Sequence, residues 1–349
     1  MMLLDKIEQI HAADEQAGMA ARERWNKVAH PLHSLGNLED IVVQIARIQG
    51  NEFVDISKKA LVIMCADNGV VEEGVTQTGQ EVTAIVAENF LQEKASAAIM
   101  CKCAETDIFP VDIGIVRDTC IINKKIAYGT KNFAKEPAMT MEETLKALET
   151  GFEMVKELKE QGYQIIATGE MGIGNTTTSS AIVAALLEKE PEEVTGRGAG
   201  LSDRGLLKKI QIIGRAIDRY QLKKEDPLDI LAKVGGLDIA GLTGIFLGGA
   251  YYHVPILLDG FISSTAALLA QRICPFAKEY MIASHVSKEP AARMLLKELG
   301  LSASLECNMR LGEGTGAVAF FPLMDMGVKV YRSMSTFEEN SIEQYEEFK

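Results

Sequence analysis

Residues 163–175 read Tyr163-Gln-Ile-Ile-Ala-Thr168-Gly169-Glu170-Met171-Gly172-Ile173-Gly174-Asn175. An apolar run of strand length opens into a glycine loop, and a helical pattern, Thr176-Thr-Thr178 followed by SSAIVAALLEK, begins behind it. Upstream lies a well-marked helix. Thr140 and Glu143 have capping-box spacing, Leu145, Leu148, Phe152, Val155 and Leu158 fall on one face, and Gly162 closes it. That face is expected to pack on a sheet. The same strand–loop–helix unit recurs: Ala60-Leu-Val-Ile-Met-Cys65 runs into Ala66-Asp67-Asn68-Gly69, and further runs span 108–113, 254–258 before Asp259-Gly260, and 280–283 before Ser284-His285. Strands alternating with helices predict an α/β protein, a doubly wound, mainly parallel Rossmann-like sheet covered on both faces. Residues 56–334 are assigned to this large domain. Residues 1–55 together with 335–349 read as helical and surface-rich and are assigned to a small helical domain.

The chain has 349 residues, with 36 Lys+Arg against 49 Asp+Glu, a formal net charge of −13 and 47% hydrophobic residues. That length supplies a substantial core without a disulfide or metal staple. The acidic balance argues against a protein that grips nucleic acid or an anionic membrane, since both need a basic surface. An anionic substrate needs local basic residues instead. The six cysteines include no C-x-x-C and follow no framework spacing, and Asp5 and Glu8 stand where an export signal would be basic or apolar, so a cytoplasmic protein is expected. One uncharged stretch, 239–258, has the length of a membrane span. It divides at His253-Val254-Pro255, and is read as a small-residue helix followed by a short strand.

In open parallel sheets, ligands bind outside the carboxyl ends of the strands. Asp67, Glu170, Asp259 and His285 stand there, and three glycine-rich loops are candidates for chemistry. In the first, 168–178, Gly172 and Gly174 let backbone N–H groups approach an anion at a helix N-terminus; the alternative is a tight turn capped by Thr or Asn. It has neither a Walker A lysine nor a strict G-x-G-x-x-G. The second, 195–204, leads into a helix carrying Lys208 and Lys209; Ser202 or Asp203 caps that helix, and a lysine in its first turns reaches a phosphate or is simply solvated. In the third, Arg310-Leu-Gly312-Glu313-Gly314, a glutamate between glycines is open to a ligand, or is a carboxylate favoured near a helix N-terminus. A base working near neutrality there needs apolar surroundings to raise its pKa. His30 and His33 are spaced for a shared ligand, but no Cys/His/Asp cluster accompanies them, and no metal is expected.

The chain resembles the nicotinate-nucleotide:dimethylbenzimidazole phosphoribosyltransferase family. The resemblance rests on ADNGV at 66–70, GQEVTAIVAENF at 79–90, ATGEMGIGNTTTSSA at 167–181, TGRGAGLSD at 195–203, SHVSKEP at 284–290 and RLGEGTGAVAF at 310–320. It implies transfer of 5-phosphoribosyl from nicotinate mononucleotide to a benzimidazole nitrogen, with inversion at the anomeric carbon, as in cobalamin lower-ligand synthesis. By that resemblance Glu313 is the proton acceptor and Glu170 the second active-site carboxylate. Lys209, Ser287, Arg310 and Gly312 lie near the nucleotide phosphate, and Gln80 and Met171 form the base-binding wall. The resemblance also implies small-molecule substrates, a homodimer, and no metal or other cofactor. A different class of reading, a non-catalytic benzimidazole or nucleotide binder, leaves the pairing of Glu170 with Glu313 without a purpose.

Overall fold

The centre of the protein is β1 (Lys59–Ala66), every residue of which is buried. Its uninterrupted apolar run follows from its place: a parallel strand covered on both faces has no wet side to mark with polar residues. The computed structural model describes residues 2–345. Met1 and residues 346–349, the end of the tail assigned to the helical domain, lie outside the described residues.

Five further strands complete the sheet: β2 (Thr106–Gly114), β3 (Ile122–Asn123), β4 (Ile165–Met171), β5 (Ile256–Leu258) and β6 (Met281–Ala283). Their order is β3-β2-β1-β4-β5-β6 and every pairing is parallel. This is the doubly wound Rossmann-type order, in which the connections reverse direction between β1 and β4 and open a crevice at their carboxyl ends. Sequence runs anticipate five of the strands. The two-residue β3 is missed because it pairs only with Val111 and Asp112 at the sheet edge and both its residues are exposed.

The helix Met141–Glu160 begins at the expected capping box: Glu143 N donates to Thr140 Oγ1 (3.1 Å) and Thr140 N to Glu143 Oε2 (2.8 Å). Leu148, Phe152, Val155 and Leu158 are buried, each contributing about 1.5–3 kcal/mol. Their partner corrects the sequence expectation. The stripe packs on the helix Leu237–Tyr252, which itself lies against β1, β2, β4 and β5. The stretch that resembled a membrane span is therefore an internal layer, buried continuously from Leu237 to Ala250. No helix among the described residues is long and apolar enough to cross a membrane. Glycines allow this close packing. A Cβ on Gly151 would stand 1.8 Å from Gly241 O, and one on Gly244 would stand 1.9 Å from Leu148 O.

On the opposite face, the helix Thr315–Ser333 packs with helices Ser96–Cys103 and Asn37–Gln49. Trp25, Ile41 and Ile45 share a core with Phe320, Phe321 and the β1 residues Leu61 and Ile63. The two ends of the chain meet where Val28 bridges Thr336 and Phe337 N donates to Lys27 O (2.9 Å). Residues 335–345 form turns and extended chain rather than the helix expected there, with Gln344 Nε2 bonded to Asn26 O at 3.0 Å.

Candidate active site

At the carboxyl ends of β4, β5 and β6 lies a cavity of about 250 Å³. Its floor is the turn leaving β4. Glu170 and Met171 end the strand, and Gly174, at φ +96°, starts the helix Asn175–Leu187 in a backbone conformation that favours glycine. Asn68 and Thr83 tie this turn to neighbouring elements: Asn68 Nδ2 donates to Ile173 O (3.4 Å), and Ile173 N donates to Thr83 Oγ1 (3.1 Å).

The loop 312–314 closes over that floor. Gly312, Glu313 and Gly314 all have left-handed backbone, at φ +84°, +62° and +85°. For a glutamate that geometry costs about 1–3 kcal/mol, and it persists only where the surroundings impose it. They do so here. A Cβ on Gly312 would stand 2.3 Å from Glu170 Oε1, and one on Gly169 would stand 2.7 Å from Glu313 O. Behind the loop, Asp259 Oδ1 accepts from Gly316 N (2.7 Å) and Ala317 N (3.2 Å), fixing the start of the helix Thr315–Ser333. The interlock brings the backbone of the Glu313 loop against Glu170, and both residues line the cavity.

Their electrostatics differ in degree. Burial pushes the half-buried Glu313 carboxyl above the ordinary range, opposed by Ala97 N, which donates to Oε2 at 3.2 Å, and reinforced by Asp259. Burial also raises Glu170, further than Glu313, and the nearby Asp238 adds to it. Asn175 Nδ2 donates to Glu170 Oε2. The apolar surroundings that a base near neutrality requires are therefore present around Glu313.

The third wall carries charge of both signs. The segment 305–309 runs beside 284–288, through Val286 N to Leu305 O (2.9 Å) and Lys288 N to Met309 O (3.0 Å), and brings Arg310 to the rim near Ser287 and Glu289. Burial pushes the Glu289 carboxyl up while Lys209 and Arg310 draw it down. Its Oε2 is buried without a partner. Lys209 is fully buried one layer behind the cavity, its Nζ donating to Thr176 Oγ1 (2.8 Å) and Gly196 O (3.2 Å). Burial lowers its pKa to about 8, opposed by Glu289.

Of the residues singled out in the sequence, Glu170, Met171, Gly172, Gly174, Ser287, Arg310, Gly312 and Glu313 line the cavity. Lys209 touches it only through Thr176, and Gln80 stands behind the floor, donating to Asn68 O at 3.2 Å. The helix Asp203–Tyr220 is capped by Ser202, whose Oγ accepts from Gly205 N (3.2 Å). Sequence reasoning left four groups without a role: Glu289, Asn175, Asp238 and the 75–78 segment that forms the opposite wall. Asp238 had a readable signal. It is the last charge before the uncharged stretch 239–258.

The sheet therefore carries at its carboxyl edge a glycine-lined cavity with two carboxyls, Glu170 and Glu313, and a basic rim residue, Arg310, and the chain is a phosphoribosyltransferase by family. The family model described as "Phosphoribosyltransferase" matches residues 10–342. The chain belongs to this family, in the branch of the nicotinate-nucleotide–dimethylbenzimidazole phosphoribosyltransferases. It is 46% identical to the protein of that name from Clostridium acetobutylicum, covering 100% of both chains. It is also 46% identical to the one from Ruminiclostridium cellulolyticum, covering 99% of both. The crystal structure of the enzyme of that name from Thermus thermophilus superposes with a TM-score of 0.88 at 36% identity, covering 95% of this chain and 100% of that one.

Proposed function

We propose that the protein transfers 5-phosphoribosyl from nicotinate mononucleotide to 5,6-dimethylbenzimidazole, giving α-ribazole 5′-phosphate and nicotinate. The observation that carries this reading is the glycine interlock that packs the backbone of the Glu313 loop against Glu170, so that a raised, half-buried carboxyl, Glu313, and a fully buried one, Glu170, line the same cavity. The lone pair of one benzimidazole nitrogen attacks C1′ from the face opposite nicotinate, and the C1′–N bond to nicotinate breaks. Glu313 takes the proton from the other ring nitrogen, so the product leaves as a neutral base. The departing pyridinium keeps the bonding electrons and becomes neutral at nitrogen, which drives its departure. Glu170 faces the ribosyl centre and balances its developing positive charge. Ser287 and Arg310 hold the phosphate, and Lys209 supports it from one layer behind through Thr176; an incoming dianion stabilises the Lys209 ammonium that burial has weakened.

In this reading residues 56–334 carry the reaction, with residues 1–55 and 335–349 as a flanking unit. The protein works on small molecules in the cytoplasm, without nucleic acid, and as a homodimer. Exposed Ile85, Leu91 and Ile99, on helices Glu81–Leu91 and Ser96–Cys103 next to the site, support pairing with a second copy. The direct test is incubation with the two substrates and detection of nicotinate and a ribazole phosphate in equal amounts. No product from neutral to alkaline pH would sink the reading.

A further inference from the structure

Beneath the cavity floor, one amide joins two buried carboxyls. Asn175 Nδ2 donates to Glu170 Oε2 and, at 3.1 Å, to Asp238 Oδ2. Asp238 is fully buried at the start of the helix Leu237–Tyr252. The titratable groups around the pair are acidic: Asp67 after β1, Asp259 after β5, and the Cys65 thiol on β1, itself raised by burial. Lys125 offsets Asp67 and pairs with Asp112 at 3.2 Å. Two buried anions bridged by a neutral amide are costly, and a single proton removes most of that cost.

Burial raises Glu170 at least as strongly as Asp238, so it is the bound cationic substrate that decides which carboxyl keeps the proton. Glu170 faces the cavity, where a pyridinium and then a positive ribosyl centre favour its ionised form. Asp238 has no such outlet. Its Oδ1 accepts from Ile239 N (3.0 Å), and beside it stands Asn68, whose buried Oδ1 has no hydrogen-bond partner. Both oxygens lie 2.5 Å from the point a Cβ on Gly236 would occupy. Asn68 Nδ2 is engaged with Ile173 O. A carboxyl hydrogen on Asp238 would offer a donor to the unpartnered Asn68 oxygen.

We propose that Asp238 is a positioning residue for the transfer: it stays neutral in the loaded site, donates toward Asn68, and through Asn175 holds Glu170 as the anion facing the ribosyl centre. This rests on the reaction proposed above. Burial pushes Asp238 up to about 7, against the pull of Asn175 and the Ile239 N–H, so its proton leaves as the solution turns alkaline. Ionised, Asp238 places a second buried charge beside Glu170 and raises Glu170's affinity for a proton.

The test is kcat at saturating concentrations of both substrates across pH. In the wild type kcat rises as Glu313 ionises, then falls by about tenfold per pH unit once Asp238 ionises. Asp238→Asn keeps the rise and loses the fall, staying flat to within about twofold. A variant profile that falls as the wild type does, or a wild type with no fall, overturns the proposal. A second measurement needs no turnover. With nicotinate mononucleotide bound, the infrared spectrum of the wild type shows a protonated-carboxyl band that disappears with the same midpoint as kcat and is missing from Asp238→Asn. Absence of that band from the wild type overturns the proposal even if the variant does not fold. A band present in an enzyme that makes no product leaves Asp238 neutral and refutes the reaction alone.

Discussion

Two regions of this protein depend on glycine for different reasons. Between helices Met141–Glu160 and Leu237–Tyr252, the glycines have ordinary helical backbone and matter for what they lack: a Cβ on Gly151 or Gly244 meets a carbonyl oxygen at 1.8 or 1.9 Å. At 312–314, glycine supplies left-handed backbone on either side of Glu313, and the obstacle to a Cβ on Gly312 is the end of the Glu170 side chain. A backbone obstacle cannot move without separating two helices, whereas a side-chain obstacle moves at the expense of its own position. On the proposed reaction, the first region sets stability and the second sets chemistry.

That contrast breaks most visibly at Gly244. Gly244→Val forces the helices apart and is expected to cost about 2–3 kcal/mol in denaturant unfolding, while kcat per folded molecule stays the same. An equal loss in kcat would mean that the helix pair and the site are one unit. Gly312→Ala reverses the pattern: Ala is strained at φ +84° and displaces Glu170, so kcat drops about tenfold while unfolding changes by only about 1 kcal/mol. Lys209→Met sharpens the division within the site, raising the KM for nicotinate mononucleotide about tenfold with a smaller change in kcat, as expected of a residue that supports the proposed phosphate site through Thr176 rather than the reacting centre.

The smallest effect is a matter of pH. The folded-state pKa of Asp238 lies at about 7, above the ordinary 3.8, so between those values the native state binds more protons than the unfolded one. Stability from this group is therefore lost as pH rises through that window. The Tm of Asp238→Asn relative to wild type should climb by a few degrees from pH ~4 to ~8. A difference that does not change with pH would remove Asp238 from the account of the floor.

Much of this was legible in the sequence because local chemistry and tertiary role coincide. The Thr140–Glu143 box, the apolar runs of β1 and β4 and the glycines flanking Glu313 are each dictated by backbone geometry or burial. Where burial is complete, the pattern disappears. The helix Leu237–Tyr252 is enclosed on all sides, so it carries no amphipathic period and looks like a membrane span, and the stripe on Met141–Glu160 found a helix where a sheet was expected. The same enclosure conceals Asp238, since one acid before an apolar stretch does not announce the amide that joins it to Glu170 about seventy residues earlier in the chain. Lys209 and Gln80 were placed by resemblance; in the fold they stand behind the cavity and act on it through Thr176 and Asn68.

The central claim is that Glu313, held strained and half-buried by its glycines, takes the proton in the transfer. Its most direct test is kcat of Glu313→Gln against the wild type, with nicotinate mononucleotide and dimethylbenzimidazole both saturating. The account predicts a loss on the order of 10²-fold or more with an unchanged unfolding midpoint. A kcat close to that of the wild type would contradict it and move the base to Glu170 or to water.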